Sequence, residues 1–464
     1  MFDFNLNTKM KSGLNILIIG CGKVGRTLVD QLCQEGHDIT VIDKNAARIQ
    51  DMVNLYDVMG VCGNGASFSV QTEAGIQDTD LVIAVTGSDE LNLLCCTVAK
   101  QITDCSAIAR VRTPDYNNDI SYLREKLGLA RVINPELEAA KEIARILYLP
   151  GALEVTSFAH DQAELVKFKL PEGNILDKIK IMDMHKKIQH NILICAIKRN
   201  EEIYIPSGTF ELRSGDIVSL IGTRKNCAKF LKRIGFDTRR VNDTLIVGGG
   251  KAAYYLADQL LRAGIQVKII ENDLHRCEEL STLLPNAVII NGDGTNEALL
   301  REAGLETAES FVPLTGIDEE NIMLTLHARQ VSLAKVITKI NRISFKNVIS
   351  ELDLGSVIHP KYITAEKILA YVRAKEASKD SNIETLHHWS DNRVEAIEFH
   401  VTEESAVTNK TLLELQLKDN LLVSFISRKG RIFIPTGQDK ILVGDEVTIV
   451  TTHTGFHDLT DILA

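Results

Sequence analysis

The chain of 464 residues contains no apolar run near the ~20 residues that a membrane span requires. The stretch from Met1 to Gly13 is polar and mixed, without the apolar core of a secretion signal, so a soluble, cytoplasmic protein is expected. Positive charge is also lacking. The net charge is −10 and the isoelectric point about 5.7, which excludes nucleic acid as the main partner because such binding needs a basic face. No two cysteines stand at CxxC spacing. The nine cysteines, at 21, 33, 62, 95, 96, 105, 195, 227 and 277, are scattered and odd in number. Reduced, mostly buried thiols are therefore expected, with no metal site and no disulfide framework.

What is present is ordinary globular composition, 45% hydrophobic and 25% charged, in a chain long enough for about three domains. A duplication organises it. Ile16-Leu17-Ile18-Ile19 runs into Gly20-Cys21-Gly22-Lys23-Val24-Gly25, and Leu245-Ile246-Val247 runs into Gly248-Gly249-Gly250-Lys251-Ala252-Ala253. Gly20 and Gly248 are 228 positions apart, as are Asp43 and Glu271. Each glycine turn precedes a helix with apolar residues four apart (Val24, Leu28, Leu32; Ala252, Leu256, Leu260), which stops at Gly36 or Gly264. The register persists through Gly63-Asn64-Gly65 and Gly292-Asp293-Gly294, then through Thr86-Gly87-Ser88-Asp89-Glu90 and Thr315-Gly316-Ile317-Asp318-Glu319. It continues through Ala109-Arg110-Val111-Arg112 and Lys339-Ile340-Asn341-Arg342.

Short apolar runs alternating with amphipathic helices predict a parallel sheet covered on both faces. Pro313 lies within one such run and predicts a short or bulged strand. Asn134-Pro135 and His359-Pro360 each open a further amphipathic helix leading out of the lobe. The rest of each unit is rich in short β runs and repeats Ile205-Pro206-Ser207-Gly208…Gly215-Asp216 as Ile434-Pro435-Thr436-Gly437…Gly444-Asp445. The expected fold is α/β: two tandem units, each a Rossmann-like doubly wound lobe followed by a small α+β lobe. The expected bounds are 14–135, 151–236, 243–360 and 380–464.

Gly20-x-Gly22-x-x-Gly25 between strand and helix is a dinucleotide fingerprint. Gly20 permits the tight turn, Gly22 lets backbone approach a pyrophosphate, and Gly25 lets helix and strand pack closely. Asp43, 18 residues past Gly25, is placed to accept from both ribose hydroxyls, which favours NAD(H) or an adenine nucleotide over NADP. The second site keeps Gly248, Gly250 and Glu271, with Ala253 at the third glycine. Asn64 and Asp293, after the third strand, either reach the ligand or close an Asx turn. Thr86, Gly87 and Thr315 end the fourth strand beside the crevice where such sheets bind ligands. Arg110 and Lys339 end the fifth and face phosphate or form a structural pair. Lys23 and Lys251 touch phosphate or stay in solvent. His387-His388-Trp389 has no further ligand at metal spacing and reads as surface. The basic stretch Arg224-Lys225…Lys229…Lys232-Arg233…Arg239-Arg240 is a solvated helix face and linker, or a patch for lipid headgroups or an acidic partner.

The residues GCGKVG…VID…TGSDELN…ARVRTPDY, followed by GGGKAA…IIE…GDG…TGIDEEN, resemble the TrkA family, whose units are similar to RCK (KTN) domains. The resemblance runs from about Asn15 to the end and leaves residues 1–13 as an extension. It implies a peripheral regulatory subunit on the cytoplasmic side of the inner membrane. Such a subunit forms a tetrameric ring beneath a TrkH/TrkG-type potassium transporter and gates it through NAD(H) and ATP/ADP. The family's nucleotide positions carry over to Gly20–Val24, Asp43, Thr86 and Arg110, and to Gly248–Ala252, Glu271 and Thr315. Where the family has a bulkier residue and then glycine, this chain has Ala252-Ala253. The alternative, an NAD-dependent oxidoreductase, needs a His, Lys or Tyr acid–base against the nicotinamide, and none stands at motif spacing. No residue is assigned as catalytic.

Overall fold

The computed structural model describes residues 13–117, 119–158, 162–188, 191–200, 202–341, 349, 352–377, 383–389, 393–456 and 458–464. All but Gly13 of the N-terminal extension falls outside them, as does Arg342, and the side chains of His387, His388 and Trp389 are outside the description as well.

The first sheet is wholly parallel: β1 (Asn15–Ile19), β2 (Asp38–Asp43), β3 (Met59–Cys62), β4 (Leu81–Ala84), β5 (Ser106–Arg110) and β6 (Arg131–Ile133), in the order β3-β2-β1-β4-β5-β6. The four apolar residues of β1 are all buried because both faces are covered. Ile16 and Ile18 pack with Leu28 and Leu32 of the helix Lys23–Gln34; Leu17 and Ile19 pack with Cys95 and Ala99 of the helix Asp89–Ile102. That helix alternates with the strand as the periodicity predicts, and Gly36 takes the left-handed conformation just past the first helix, with φ +83°.

A second parallel sheet follows after a small lobe. Its strands are β12 (Asp243–Val247), β13 (Gln266–Glu271), β14 (Val288–Asn291), β15 (Ser310–Pro313), β16 (Lys335–Lys339) and β17 (Ser356–Ile358), again in the order 3-2-1-4-5-6. Pro313 acts on one ladder only. It sits in register with Val247 of β12, but pairing with β16 stops at Phe311, whereas β4 pairs with β5 as far as Ala84. Proline donates no amide, so the ladder shortens on that side without a bulge.

The small lobes are five-stranded and antiparallel. The first holds β7 (Glu154–Phe158), β8 (Ala163–Lys169), β9 (Leu193–Arg199), β10 (Glu202–Tyr204) and β11 (Ile217–Gly222). The second holds β18 (Ile383–Trp389), β19 (Val394–His400), β20 (Leu421–Arg428), β21 (Arg431–Phe433) and β22 (Glu446–Thr451), with the same topology. The repeated Gly-Asp has a reason beyond the turn. Gly215 and Gly444 adopt φ +89° and +88°, and the buried Asp216 and Asp445 each receive a bidentate arginine, Arg199 and Arg428, through bonds of 2.7–2.8 Å.

By contact the chain gathers into two compact units, Met1–Pro135 with Lys361–Val372, and Glu136–Pro360 with Arg373–Ala464. The helix Pro360–Ala377, which follows the second parallel sheet, gives Ala365, Ile368, Leu369 and Val372 to the core beneath the first sheet. In the second unit, Lys335 at the start of β16 donates to the Ala152 carbonyl over 2.6 Å, and Ala163, Leu165 and Ile221 of one small lobe share a cluster with Val394, Ala396 and Phe425 of the other.

Candidate functional site

In the first unit the turn after β1 sits where the strand order reverses, between β2 and β4. Gly20 has φ +108°, a conformation closed to residues with a Cβ; a Cβ there would also lie 2.9 Å from the Thr86 amide. A Cβ on Gly22 would meet nothing within 4 Å, so the space before the helix is open. Gly22 is the N-cap and brings no side chain to the first-turn amides, which remain available to an anion. Val24 is buried and offers only its backbone; Lys23 is exposed. A Cβ on Gly25 would fall 1.9 Å from the Gly20 oxygen, so this glycine sets how closely the helix approaches the turn.

Asp43, at the end of β2, accepts from the Cys21 amide at 2.7 Å through one oxygen and from the Asn45 amide at 2.8 Å through the other. Its two oxygens therefore hold the glycine turn and the loop after β2 in place. Burial, reinforced by Asp43 and opposed by Arg48, pushes the Cys21 thiol up to about 12, so it is not a nucleophile at neutral pH. The Thr86 amide and hydroxyl both donate to Asn92 Oδ1 at 2.7 Å, Asn92 Nδ2 donates to the Arg110 carbonyl at 2.8 Å, and Arg110 donates to the Thr86 carbonyl. Asp89 accepts from the amides of Arg112 and Thr113 and from the Thr113 hydroxyl. Burial raises its pKa, but the Thr113 hydroxyl and the two amides outweigh that and hold it below the usual carboxylate range.

The second unit repeats this framework. Gly248 has φ +99°, and the space at Gly250 is open. Glu271 accepts from the Gly249 amide at 2.6 Å and from the Asp273 amide at 2.8 Å. Thr315 donates twice to Asn321 Oδ1 at 2.9 Å, Asn321 donates to the Lys339 carbonyl at 3.0 Å, and Lys339 Nζ donates to the Leu314 carbonyl at 2.9 Å. Arg110 and Lys339 thus brace the end of the fourth strand. Ala252 and Ala253 are buried, and Lys251 is half-buried.

Asn64 and Asp293 close Asx turns: Asn64 Oδ1 accepts from the Ala66 amide at 3.3 Å, and Asp293 Oδ1 from the Thr295 amide at 2.9 Å and hydroxyl at 2.8 Å. Both turns abut the end of the first strand, since a Cβ on Gly65 would lie 2.2 Å from Ile19 and one on Gly294 2.2 Å from Val247. Three pairs were missed in the sequence reading: Asn92 with Asn321, Asp89 with Asp318, and Arg48 with Arg276. Each repeats at an offset of 228 or 229, and that signal was available. Among the described residues no group of three or more His, Cys, Asp and Glu can hold a metal, and none of the nine cysteines is in a disulfide.

Residues 16–135 and 244–360 match the TrkA-N domain, and residues 165–235 and 396–464 match the TrkA-C domain. The chain belongs to the TrkA family. It is 31% identical over 443 residues to the Trk system potassium uptake protein TrkA of Halomonas elongata, covering 94% of this chain and 95% of that one. The protein of the same name from Haemophilus influenzae is 29% identical over 440 residues, again over 94% and 95%. In fold, this TrkA-family chain is similar to the GsuK channel bound to NAD, with a TM-score of 0.63 at 19% identity over 95% of this chain and 77% of that one. The family's duplicated unit is thus present in full. No helix among the described residues is long and apolar enough to cross a membrane.

Proposed function

We propose that this chain is the nucleotide-binding regulatory subunit of a Trk-type potassium uptake system. The observation that carries this reading is the duplicated clamp: an open glycine turn whose backbone is held by a carboxylate at the end of the second strand. The residues present fit an adenine dinucleotide. Gly20–Val24 and Gly248–Ala252 supply the phosphate amides, and Asp43 and Glu271 accept from ribose. Thr86 with Gly87, and Thr315, line the crevice, and Arg110 and Lys339 fix its floor. Asn64 and Asp293 shape its rim. NAD(H) and ATP/ADP are the proposed ligands of the two turns.

A nucleotide shifts a gate only by binding one conformation better than another. The helix Pro360–Ala377, which continues from the second lobe into the first unit's core, is suited to carry such a shift. The lobes 14–135, 151–236, 243–360 and 380–464 are the proposed moving parts. A homotetrameric ring is the proposed assembly, on the family resemblance. The proposed partner is a TrkH/TrkG-type transporter, with the ring peripheral to the cytoplasmic face of the inner membrane.

The test is potassium flux through such a transporter reconstituted with this chain. NADH, NAD, ATP and ADP are expected to change flux only when the chain is present. Equal flux under all four nucleotides contradicts the proposal. Steady oxidation of NADH with small carbonyl substrates would favour the oxidoreductase instead.

A further inference from the structure

The basic stretch that follows β11 is not spread evenly over a surface. Arg224 and Arg240 converge, with Tyr148, Thr238 and Ala263, on a cleft of about 500 Å³ within the second unit. That volume is in the range of small-molecule sites. The Arg224 guanidinium lies over the Tyr148 ring, 5.2 Å from its centre. Its nearest carboxylate, Glu164, stands 3.8 Å away and the arginine side chain is 64% exposed, so that pair is weak. Arg240 donates to the Ala263 carbonyl and makes no ion pair among the described residues. Of the two acids three residues away, Asp237 is taken by the amide and guanidinium of Arg239, and Asp243 accepts from the Glu309 amide.

Local physics argues against this arrangement unless it has a use. The helix Arg224–Arg233 has Arg224 and Lys225, and no acid, in its first turn. Cations are disfavoured at that end of a helix, where the unsatisfied amides already carry positive charge. Rules of local consistency are broken mainly at functional sites. The fold itself does not demand the arginine. The second small lobe has the same topology, yet Thr452, His453 and Thr454 follow β22 where Thr223, Arg224 and Lys225 follow β11, and no α-helix continues there. There Glu395, which matches Glu164 in its strand, pairs with Arg373 at 3.0 Å. Burial raises the Tyr148 pKa, so its hydroxyl stays a donor at neutral pH even between two arginines.

We propose that this cleft is a third ligand site, for small molecules bearing a phosphate or diphosphate group. Arg224 and Arg240 take the phosphate oxygens, and the hydroxyls of Tyr148 and Thr238 donate to the remainder. Guanidinium forks suit phosphate, and two of them with hydroxyl donors give charge-assisted bonds. The site touches the residue that ends the helix Lys251–Arg262, whose other end is the second glycine turn.

Inorganic diphosphate titrated calorimetrically into the full chain tests this. The comparison is made in the Gly22→Val/Gly250→Val background, in which the glycine cradles are filled and closed to diphosphate, with and without Arg224→Gln/Arg240→Gln. The expected result is binding in the glycine background that weakens at least about tenfold when the two arginines are replaced. Equal affinity with and without the arginines overturns the proposal. So does loss of all binding in the glycine background, or arginine-dependent binding of phosphatidylglycerol vesicles without binding of free diphosphate. Thermal unfolding of each variant checks that it is folded. Should the arginine variant not fold, Tyr148→Phe/Thr238→Val replaces it, with a smaller loss expected and no loss contradicting the assignment.

Discussion

The two glycine turns share a framework and differ at its edge. In the first, Arg48 is 57% exposed and stands 3.8 Å from Asp43. In the second, its counterpart Arg276 is 23% exposed, donates to the Gly249 carbonyl at 2.7 Å and pairs with Glu279 at 2.6 Å. One turn has Gly25 where the other has the fully buried Ala253. The parts that hold backbone (the acid, the asparagine, the threonine) are the same in kind and position, and the residues around them are not. Duplication preserved the framework of the turn and let its surroundings diverge, a difference that the proposed sensing of two nucleotides would use.

The largest effect should fall on what the repeats share outside the turns. Arg199→Met and Arg428→Met each leave a buried carboxylate with only a backbone amide, of Arg213 or Leu442, and no counter-charge, at a cost of about 3–5 kcal/mol to the lobe concerned. Hydrogen exchange should show protection lost in β8–β11 for the first variant and in β19–β22 for the second; unchanged protection would mean that Asp216 and Asp445 find other partners. A second effect separates the repeats. Lys335 is half-buried, and the desolvation of its amine, with Arg329 nearby, lowers its pKa to about 8; the first repeat has Ser106 at that place. Unfolded, the lysine holds its proton to about 10.4. Between these values the unfolded state binds more protons, so stability rises with pH by up to about 1.4 kcal/mol per unit. The excess slope should vanish in Lys335→Met unfolded by urea from pH 8 to 10, and a slope equal to wild type would contradict the assignment.

Smaller still is the exchange at the third glycine. Gly25→Ala forces a Cβ against the Gly20 carbonyl and should cost about 1–3 kcal/mol. Ala253→Gly meets no clash and should cost only about 1 kcal/mol of helix propensity. Equal costs, read from thermal unfolding, would mean that the two helices start at the same distance from their turns.

Sequence periodicity made the lobes legible because each turn, helix stop and acid is a local signal. Gly20, Gly22 and Asp43 announce themselves within 30 residues. The clasp of Asp216 by Arg199 did not, because a turn motif says nothing about a partner on another strand. Asn92 and Asn321 were passed over although they repeat, since a buried amide inside a helix looks like any other polar residue. The helix Pro360–Ala377 starts at its proline as expected, but none of its described side chains is exposed, so the expected solvent face is missing: the helix is covered all round, and its local pattern does not say by what. Asn64 and Asp293 kept two readings, and the geometry supplies the Asx turn for both.

The central claim is that two distinct, working nucleotide sites lie in one chain. Calorimetric titration with NADH, NAD, ATP and ADP of wild type, Asp43→Ala and Glu271→Ala tests it most directly. Each substitution is expected to abolish the binding of a different ligand and to leave the other intact. If both variants bind all ligands as wild type does, the carboxylates are not ribose clamps, and the account of the two sites is wrong.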